Sequence, residues 1–507
     1  MTDPLRIAIV GGGTAGWMAA NLMARHWHEQ RFKITLVETP DIAAIGVGEG
    51  STPSLKRFFE VIGIAETEWM AACHATYKVN IRFAGWSPGS GITSYSHPFL
   101  TQLDVLTEDA FVLNCGNRRL GFDVPTQPDD FFLGGVLARQ AKAPLAPSNF
   151  PFRMEYGYHF DSALVGQFLR DHAIAQGVTH LSRHVEKVER TERGDIAALC
   201  TREGDRIAAD VFIDCSGFAG LLMERELGVP YRSFKSNLFN DAAVVMPTAA
   251  QVVLPVETTS TALSAGWAWS IPLTSRVGNG YVYSSDFLSA DAAEAELRAH
   301  LGLKQDDTPA RHLKFRVGQL ERHWDRNCVA IGLAQGFIEP LEATALHLVL
   351  NTVEQFIKRF EQGGFSAQHR DAFNADISDQ IEHVRDYVVA HYKLNTRADG
   401  DYWRANRENE ALSDNLLEIL ETWFRRADLA TLLERQKGLS HFGSASWHCL
   451  LSGYGAYPGL AVDQRGDVDF YRDRQIGAFL DGCALNFPSQ ASVLAGHQTC
   501  SAETLPS

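Results

Sequence analysis

The feature that most constrains the fold of this chain is a glycine motif that lies between two apolar segments near the N-terminus. Arg6–Val10 is a short β-type run, Gly11–Gly16 reads Gly-Gly-Gly-Thr-Ala-Gly, and Trp17–Arg25 has a helical pattern. Lys33–Val37 is a second apolar run, and Glu38 follows it, 22 residues after the last glycine of the motif. Strand, GxGxxG, helix, strand and acid in this order are typical of a dinucleotide-binding α/β fold.

Each part of this motif has its own role in binding a dinucleotide. Glycines let the backbone approach a pyrophosphate, which rests on the N-terminus of the following helix, and Glu38 can accept a hydrogen bond from a ribose hydroxyl. The predicted cofactor contacts of the motif are Gly11, Gly13, Thr14, Ala15 and Gly16. The alternative is a glycine turn that only allows tight packing of helix against strand. The motif by itself does not separate FAD from NAD.

The net charge and the cysteine pattern restrict the classes of partner and the cellular compartment that we expect for this chain. The 507 residues include 46 Lys and Arg against 61 Asp and Glu, a net charge of −15, so we expect no nucleic-acid partner. The eight cysteines form no CxxC pair, so neither a metal site nor a redox dithiol is expected. No apolar run approaches the roughly 20 residues of a membrane helix, and the N-terminal residues show no secretory pattern. We therefore expect a cytoplasmic protein without membrane contact.

The segment Gly336–Ala345 combines a glycine turn with the predicted start of a buried helix, in which Pro340 suits the first helical position. Backbone N–H groups in the first turn of a helix are unpaired and attract anions. Glu342 lies beside the candidate anion-binding amides of Thr344 and Ala345. The simpler interpretation is that Glu342 complements the helix dipole.

Three other segments have two interpretations each. The glycine-rich segment around Gly46–Glu49 is either a plain connection or a loop along an extended cofactor. Thr76–Phe83 alternates with period two, so Lys78 and Arg82 share a polar face that is either solvated or functional. Trp267 and Trp269 share one face of a predicted strand, where paired indoles serve either a core or a cofactor box.

The remaining sequence indicates a sheet followed by helices. Residues 231 to 290 have a β-rich composition that predicts a sheet, and the pattern from about 350 onward is helical. The residues after 486 are small and polar, which predicts a loosely packed tail.

Five segments together resemble a known family of enzymes. In chain order they are Gly11–Gly16, Gly46–Glu49, Lys78 within Thr-Tyr-Lys-Val, Trp267–Pro272 and Pro340–Thr344. They are similar to the flavin-dependent halogenases of the tryptophan halogenase family, and the resemblance spans roughly residues 5 to 460. The WxWxIP motif at Trp267–Pro272 is the specific marker, whereas GxGxxG is shared with many flavoproteins.

The resemblance implies both a fold and a reaction. The fold is α/β and flavoprotein-monooxygenase-like: an FAD-binding module over residues 1–350, with an inserted sheet at about 231–322, and a mainly helical substrate module over residues 351–507. In the implied reaction, reduced FAD and oxygen form a C4a-hydroperoxide, and a chloride or bromide ion attacks its distal oxygen. The resulting hypohalous acid passes through a tunnel to a lysine, and an electron-rich arene attacks the halogen there.

The resemblance also assigns roles to particular residues. Lys78 and Glu342 match the catalytic pair, and the amides of Thr344 and Ala345 match the halide site. Trp267 and Trp269 match the wall between flavin and substrate. The matches on the flavin are Gly46, Val47, Gly48, Glu49, Leu333 and Leu346, with Val185 near the adenine. The matches on the aromatic substrate are His97, Pro98 and Phe99.

Departures from the family pattern bear on the substrate. The motif that commonly reads Glu-Ser-Thr-Gly is here Glu342-Ala343-Thr344-Ala345, and the region around 440–460 has no clear match for residues that bind the charged end of an amino acid. We therefore expect an indole derivative rather than free tryptophan. A separate NAD(P)H-dependent flavin reductase and a homodimer are the implied partners.

Two alternatives use the same fold. A flavin monooxygenase that hydroxylates an aromatic substrate would need neither Lys78 nor the halide amides. A flavin-binding protein without turnover would bind FAD, and replacing Lys78 would affect no activity.

Overall fold

The computed structural model of the chain describes residues 4–28, 32–40, 49–304, 308–436, 442–465 and 468–503. The strands of these residues are numbered β1 to β23 in chain order. Their bounds are Leu5–Val10, Phe32–Glu38, Glu49–Gly50, Thr76–Lys78, Asn80–Ala84, Ser94–Pro98, Gly157–Phe160, Thr179–Ser182, Val185–Arg190, Ile196–Thr201, Arg206–Ala208, Val211–Asp214, Tyr231–Ser233, Ala242–Val245, Thr248–Ala249, Glu257–Leu263, Gly266–Pro272, Arg276–Tyr283, Arg311–Lys314, Gly318–Leu320, Trp324–Asp325, Cys328–Ala330 and Gly336–Phe337.

The α-helices of the described residues are numbered α1 to α17 in the same way. Their bounds are Thr14–His26, Ser54–Ile62, Glu66–Ala72, Val105–Arg119, Pro128–Phe131, Leu133–Arg139, Ser162–Ala175, Ala290–Leu301, Ala345–Gln362, Arg370–Lys393, Asp401–Glu408, Asp414–Phe424, Leu429–Arg435, Ser444–Gly453, Phe470–Asp473, Ile476–Ala484 and Gln490–Glu503. Within the ranges that the structure describes, no helix is both long enough and apolar enough to cross a membrane.

The first sheet positions the glycine motif. Its strand order is β21-β22-β12-β1-β2-β8, and β1 pairs in parallel with both β2 and β12. Ile7, Ile9 and Leu36 are almost completely buried, because a parallel strand is covered on both faces. The motif therefore begins at the carboxyl end of a central strand, where α/β sheets bind their ligands.

The second sheet has the order β19-β14-β18-β17-β16-β5-β6, with β15 beside β18. Strands β14 to β19 come from the inserted sheet expected at about 231–322, but β5 and β6 come from residues 80–98. Strand β5 joins the others by parallel pairing with β16, with Asn80 opposite Glu257. The sheet therefore connects the segment after Lys78 to the strand that precedes the two tryptophans.

The predicted strand Thr76–Phe83 is divided at Val79. The Val79 N–H donates to the carbonyl of Val256, and the Val79 carbonyl accepts from the N–H of Phe99. Residues before this point form β4, in a small sheet with β7 and β3, and residues after it form β5. Lys78 is completely buried at the end of β4, so the solvated interpretation of its face is wrong for this residue.

The C-terminal third is helical, and α10 is its longest helix at 24 residues. The expected loose tail is wrong for residues 490–503, which form α17 and pack against α3. The side chain of Gln490 explains part of this order: it accepts from the N–H of Tyr77 and donates to the carbonyls of Leu254 and Pro255. The predicted α/β class with a mostly helical C-terminal region is confirmed.

Candidate active site

The glycines of the first motif have two different functions in the structure. A Cβ on Gly11 would lie 2.1 Å from the carbonyl oxygen of Cys215, and one on Gly16 would lie 2.0 Å from the carbonyl oxygen of Gly11. Both positions therefore require glycine for packing. A Cβ on Gly13 would meet no described heavy atom within 4 Å, although Gly13 lines a cavity. Gly13 thus leaves open space in front of the first turn of α1.

A cavity of about 420 Å³ joins this motif to Lys78. Its lining is mostly apolar with a few polar groups, as in many cofactor sites. The predicted site residues among its lining are Gly13, Thr14, Ala15, Glu49, Lys78, Trp267, Trp269, Leu333, Thr344, Ala345 and Leu346. Residues that are far apart in sequence are therefore gathered around one space.

The geometry of the motif is compatible with a bound dinucleotide. The N-terminus of α1 faces the open space at Gly13, and Glu38 ends β2 at the same edge of the sheet. Glu38 packs across Gly12, whose Cβ would collide with the carboxylate, and Glu38 Oε1 accepts from Nε2 of His180 at 2.7 Å. This carboxylate is 24% exposed and can accept a further hydrogen bond.

Other predicted flavin contacts differ in position. Gly46, Val47 and Gly48 lie outside the described residues. Glu49 lines the cavity, where burial raises the pKa of its carboxyl to about 7 although Ser162 lowers it by hydrogen bonding. Val185 begins β9 and packs against a separate apolar cluster. It is not among the described residues that line the cavity.

Lys78 presents a buried amine to the cavity. Its Nζ has no hydrogen-bond partner among the described residues, and it lies 5.2 Å from the centroid of the Phe99 ring. Burial lowers the pKa of Lys78 to about 7, even though the charge of Glu342 acts to raise it. A substantial fraction of this amine is therefore neutral and nucleophilic near pH 7.

Glu342 lies between two histidines. Its Oε2 is 2.8 Å from Nδ1 of His97, and its Oε1 is 2.9 Å from Nε2 of His391. Burial acts to raise the pKa of Glu342, but the two histidines outweigh it and leave the pKa at about 2. The carboxylate is therefore ionised at neutral pH, and it is not among the described residues that line the cavity.

The anion-binding turn starts later than the sequence predicts. Helix α9 begins at Ala345 with Thr344 as its cap, so Pro340 is not the first helical residue. The difference arises at Ala343, whose φ of +55° is a left-handed conformation that a continuous helix does not contain. Thr344 and Ala345 nevertheless stay at the helix N-terminus and line the cavity, which keeps this turn suited to an anion.

The two tryptophans of β17 are both buried and both line the cavity, so the core and cofactor-box interpretations are compatible. Trp267 and Trp269 have ring centroids 6.1 Å apart and an interplanar angle of 58°. Gly280 on the neighbouring strand makes room for the second indole, since a Cβ there would lie 2.2 Å from Trp269. The indole N–H of Trp267 donates to Glu339 Oε2 at 2.7 Å.

Two residues with clear roles in this arrangement were not identified from the sequence. Glu339 accepts from Trp267, from the Tyr392 hydroxyl and from Asn240, while burial raises its pKa. The one sequence feature that points to Glu339 is its position in the turn segment Gly336–Ala345, three residues before Glu342. His391 had no comparable signal, because it lies within a long helical pattern.

Comparison with known proteins gives a consistent result. A family model described as tryptophan halogenase matches residues 6–466. The chain is 36% identical over 476 residues to the 7-chloro-L-tryptophan 6-halogenase KtzR of Kutzneria sp. strain 744, covering 89% of this chain and 90% of that protein.

Solved structures agree with this match. The fold resembles Xcc4156, a flavin-dependent halogenase from Xanthomonas campestris, with a TM-score of 0.85 at 32% identity over 97% of this chain and 98% of that one. It also resembles BrvH, a flavin-dependent halogenase from Brevundimonas sp. BAL3, with a TM-score of 0.83 at 33% identity over 97% and 99% of the two chains.

Proposed function

This chain belongs to the tryptophan halogenase family, and on that premise we propose that it halogenates an electron-rich arene, an indole derivative, with reduced FAD, oxygen and chloride or bromide. The observation that supports the proposal most directly is the position of Lys78. Its buried amine lines the same cavity as Gly13 of the dinucleotide motif and Thr344 at the N-terminus of α9. A dinucleotide site, an anion-binding turn and a nucleophilic amine thus share one space.

The cofactor enters this proposal through the residues that would hold it. When bound, reduced FAD supplies two electrons to oxygen, and the reduced oxygen oxidises the halide to hypohalous acid. Gly13 leaves room for a pyrophosphate at α1, and Glu38 can accept from a ribose hydroxyl. The residues we assign to the rest of the cofactor are Gly11, Thr14, Ala15, Gly16, Gly46, Val47, Gly48, Glu49, Val185, Leu333 and Leu346.

Lys78 is the residue we assign to the captured oxidant. Its amine lines the cavity and holds hypohalous acid by hydrogen bonding or, with loss of water, as a haloamine. The arene attacks the halogen, the bond from the halogen to oxygen or nitrogen breaks, and a ring proton is lost. Because the Lys78 amine is buried, its electrostatic interactions with neighbouring charges are stronger than they would be in water.

Glu342 supports this step by its charge. An ionised carboxylate near Lys78 stabilises the positive charge that develops on the amine and on the arene. A carboxylate with a pKa of about 2 is a weak base, but a cationic arene is acidic enough to give up its proton to it. His97, Pro98 and Phe99 form the aromatic side of the substrate site in this proposal, and the centroid of the Phe99 ring lies 5.2 Å from Lys78 Nζ.

The helix N-terminus and the tryptophans complete the proposed site. The amides of Thr344 and Ala345 bind the halide, since N–H groups in the first turn of α9 have no acceptor within the helix. Trp267 and Trp269 separate flavin from arene, so that oxygen is not transferred directly. Soaking crystals in bromide and locating the anomalous signal tests the halide position independently of turnover.

Reduced flavin comes from a separate NAD(P)H-dependent reductase in this proposal, because only one nucleotide fingerprint is visible in the sequence. A homodimer is the proposed assembly. Rapid NADH oxidation by the purified protein alone would contradict the two-component arrangement, and light scattering measures the mass in solution.

A product assay by mass spectrometry tests the function itself. The mixture contains the protein, FAD, NADH, a flavin reductase, oxygen, indole and one halide. We expect one halogen in place of one hydrogen with the wild type and with Lys358→Ala, whose lysine is exposed on α9, and none with Lys78→Ala. A product that gains oxygen instead would establish a monooxygenase and overturn the proposal.

A further inference from the structure

Two polar side chains flank Gly50 in the cavity. A Cβ on Gly50 would lie 3.1 Å from Nζ of Lys78 and 3.1 Å from Oγ1 of Thr258. Both residues line the cavity, and Gly50 itself has no side chain to separate them. Thr258 lies on β16, which pairs with β5, the strand that follows Lys78. The Thr258 hydroxyl and the Lys78 amine are therefore no more than about 6 Å apart, within reach of a hydrogen bond after a rotation of the lysine side chain.

The hydrogen bonds behind Thr258 have a defined direction. The Thr76 hydroxyl lies 2.7 Å from the carbonyl oxygen of Pro272, which can only accept, so Thr76 donates its one proton there. Thr76 Oγ1 also lies 2.9 Å from Nδ1 of His159. Because the Thr76 proton is already used, His159 must donate its Nδ1–H in this contact.

The protonation of His159 then determines the role of Thr258. His159 is buried, and burial together with the charge of Lys78 holds its pKa well below the usual range, so the ring is neutral. A neutral imidazole that has its proton on Nδ1 has a bare Nε2. This Nε2 lies 3.0 Å from Thr258 Oγ1, so the Thr258 hydroxyl donates to it. Toward the cavity, Thr258 can only accept.

We propose that Thr258 is a positioning residue for Lys78: its acceptor-only hydroxyl receives an N–H of the lysine and leaves the lone pair of the neutral amine free for the oxidant. This inference rests on the proposed function for its purpose, but not for its geometry. In the structure, Lys78 Nζ has no hydrogen-bond partner among the described residues, so this bond forms only when the lysine side chain turns toward Thr258. If Thr258 donated instead, its proton would occupy the lone pair that the reaction needs.

The Pro272 carbonyl sets the direction of these hydrogen bonds, because it fixes the Thr76 proton and thereby the proton of His159. Pro272 ends the strand that contains both tryptophans of the WxWxIP motif. The same motif that separates flavin from substrate therefore also sets the direction of the bonds that lead to Lys78. A purely structural role, in which Thr258 only satisfies a buried histidine, predicts no effect on the amine.

The amine can be examined without flavin and without turnover. A small acylating reagent is applied to the flavin-free protein from pH 5 to pH 10, and the Lys78 peptide is quantified by mass spectrometry. Because an acceptor stabilises the ammonium more than the amine, Thr258→Val and Thr258→Ala should lower the apparent pKa of Lys78 by about one unit. Thr258→Ser should preserve the wild-type value, as should Thr259→Val, which alters the opposite face of β16.

The comparison between wild type and the Thr258 variants requires that the other titratable groups around Lys78 are unchanged. Glu342 interacts with it by charge, His159 is next to Gly50 on β7, and Glu49 precedes Gly50 on β3. None of them is changed in the Thr258 variants. Thermal unfolding and FAD titration identify any variant that has lost its fold. If Thr258→Val has lost its fold, the inference is tested by the Lys78 pKa in Thr258→Ala compared with Thr258→Ser.

Thr76 provides a second test through His159, because it is not among the described residues that line the cavity. Thr76→Val removes the acceptor of Nδ1–H and should lower the Lys78 pKa in the same direction, whereas Thr76→Ser should restore it. Wild-type labelling curves in both valine variants would overturn the inference. Shifted curves in a protein that halogenates no arene would refute the proposed function and leave the positioning intact.

Discussion

Nε2 of His391 lies 2.9 Å from Oε1 of Glu342, and this contact places a buried imidazole against the carboxylate assigned to catalysis. The other ring nitrogen, Nδ1, lies 3.1 Å from the Tyr454 hydroxyl, which can donate to it. Burial lowers the pKa of His391, and because an ionised carboxylate can only accept, Nε2 carries the hydrogen that is donated to Glu342. Glu342 is thus held ionised by its charge interaction with His97 and by hydrogen bonds from both histidines.

Glu342→Gln should reduce halogenation by about 100-fold or more, because a neutral amide cannot stabilise the charge on Lys78 and the arene or accept its proton. Oxidation of reduced flavin by oxygen should continue, since the carboxylate is not among the described residues that line the cavity to which we assign the flavin. Product yield and hydrogen peroxide are measured together. Glu321→Gln, at an exposed position, is the control, and an equal product yield in both variants would contradict the role of Glu342.

The parts of this site that could be predicted from the sequence are local in the chain. β1, Gly11–Gly16, α1 and β2 are consecutive, and each has its own pattern, so their arrangement follows from rules for short segments. Lys78 and Glu342 were identified by resemblance within short motifs. Their burial and partners required the fold.

The residues that sequence analysis missed meet only through tertiary pairing. Thr258 approaches Lys78 because β16 pairs with β5, and His391 approaches Glu342 because α10 packs against α9. The division of Thr76–Phe83 at Val79 likewise depends on backbone bonds from two distant segments. Periodicity within one segment contains no information about such partners.

Gly13→Val should abolish FAD binding while the protein still folds. A side chain at Gly13 meets no described atom within 4 Å, so it costs little in packing, but it extends into the cavity where we place the pyrophosphate. Fluorescence titration with FAD measures the loss, which we expect to exceed 100-fold, and circular dichroism monitors the fold. Gly459→Val, at another open glycine, should bind FAD normally. Unchanged affinity in Gly13→Val would place the cofactor elsewhere.

Trp267→Phe should destabilise the protein by about 1–3 kcal/mol, because the buried carboxyl of Glu339 loses one of its three donors. The indole N–H of Trp269 has no partner among the described residues, so Trp269→Phe should lose less. Urea unfolding of both variants measures the difference. If Trp269→Phe proved the more destabilising, the bond from Trp267 to Glu339 would not be the main contribution.

Lys78→Met should make the protein more stable near pH 7, although it removes the residue assigned to catalysis. Burial lowers the pKa of Lys78 from 10.5 to about 7, so folding either buries an ammonium or removes its proton, and both cost free energy. Between pH 7 and 10.5 the unfolded chain binds more protons at this lysine, and wild-type stability therefore rises with pH.

Methionine has a similar length and no charge, so the advantage of the variant should be largest at and below pH 7 and should decrease toward pH 10. Thermal unfolding of the flavin-free protein from pH 6 to pH 10 measures this difference. Lys358→Met, at an exposed lysine, should show no such pH-dependent gain. A constant difference between Lys78→Met and wild type across this range would mean that Lys78 keeps an ordinary pKa, and the amine would then be almost fully protonated at neutral pH.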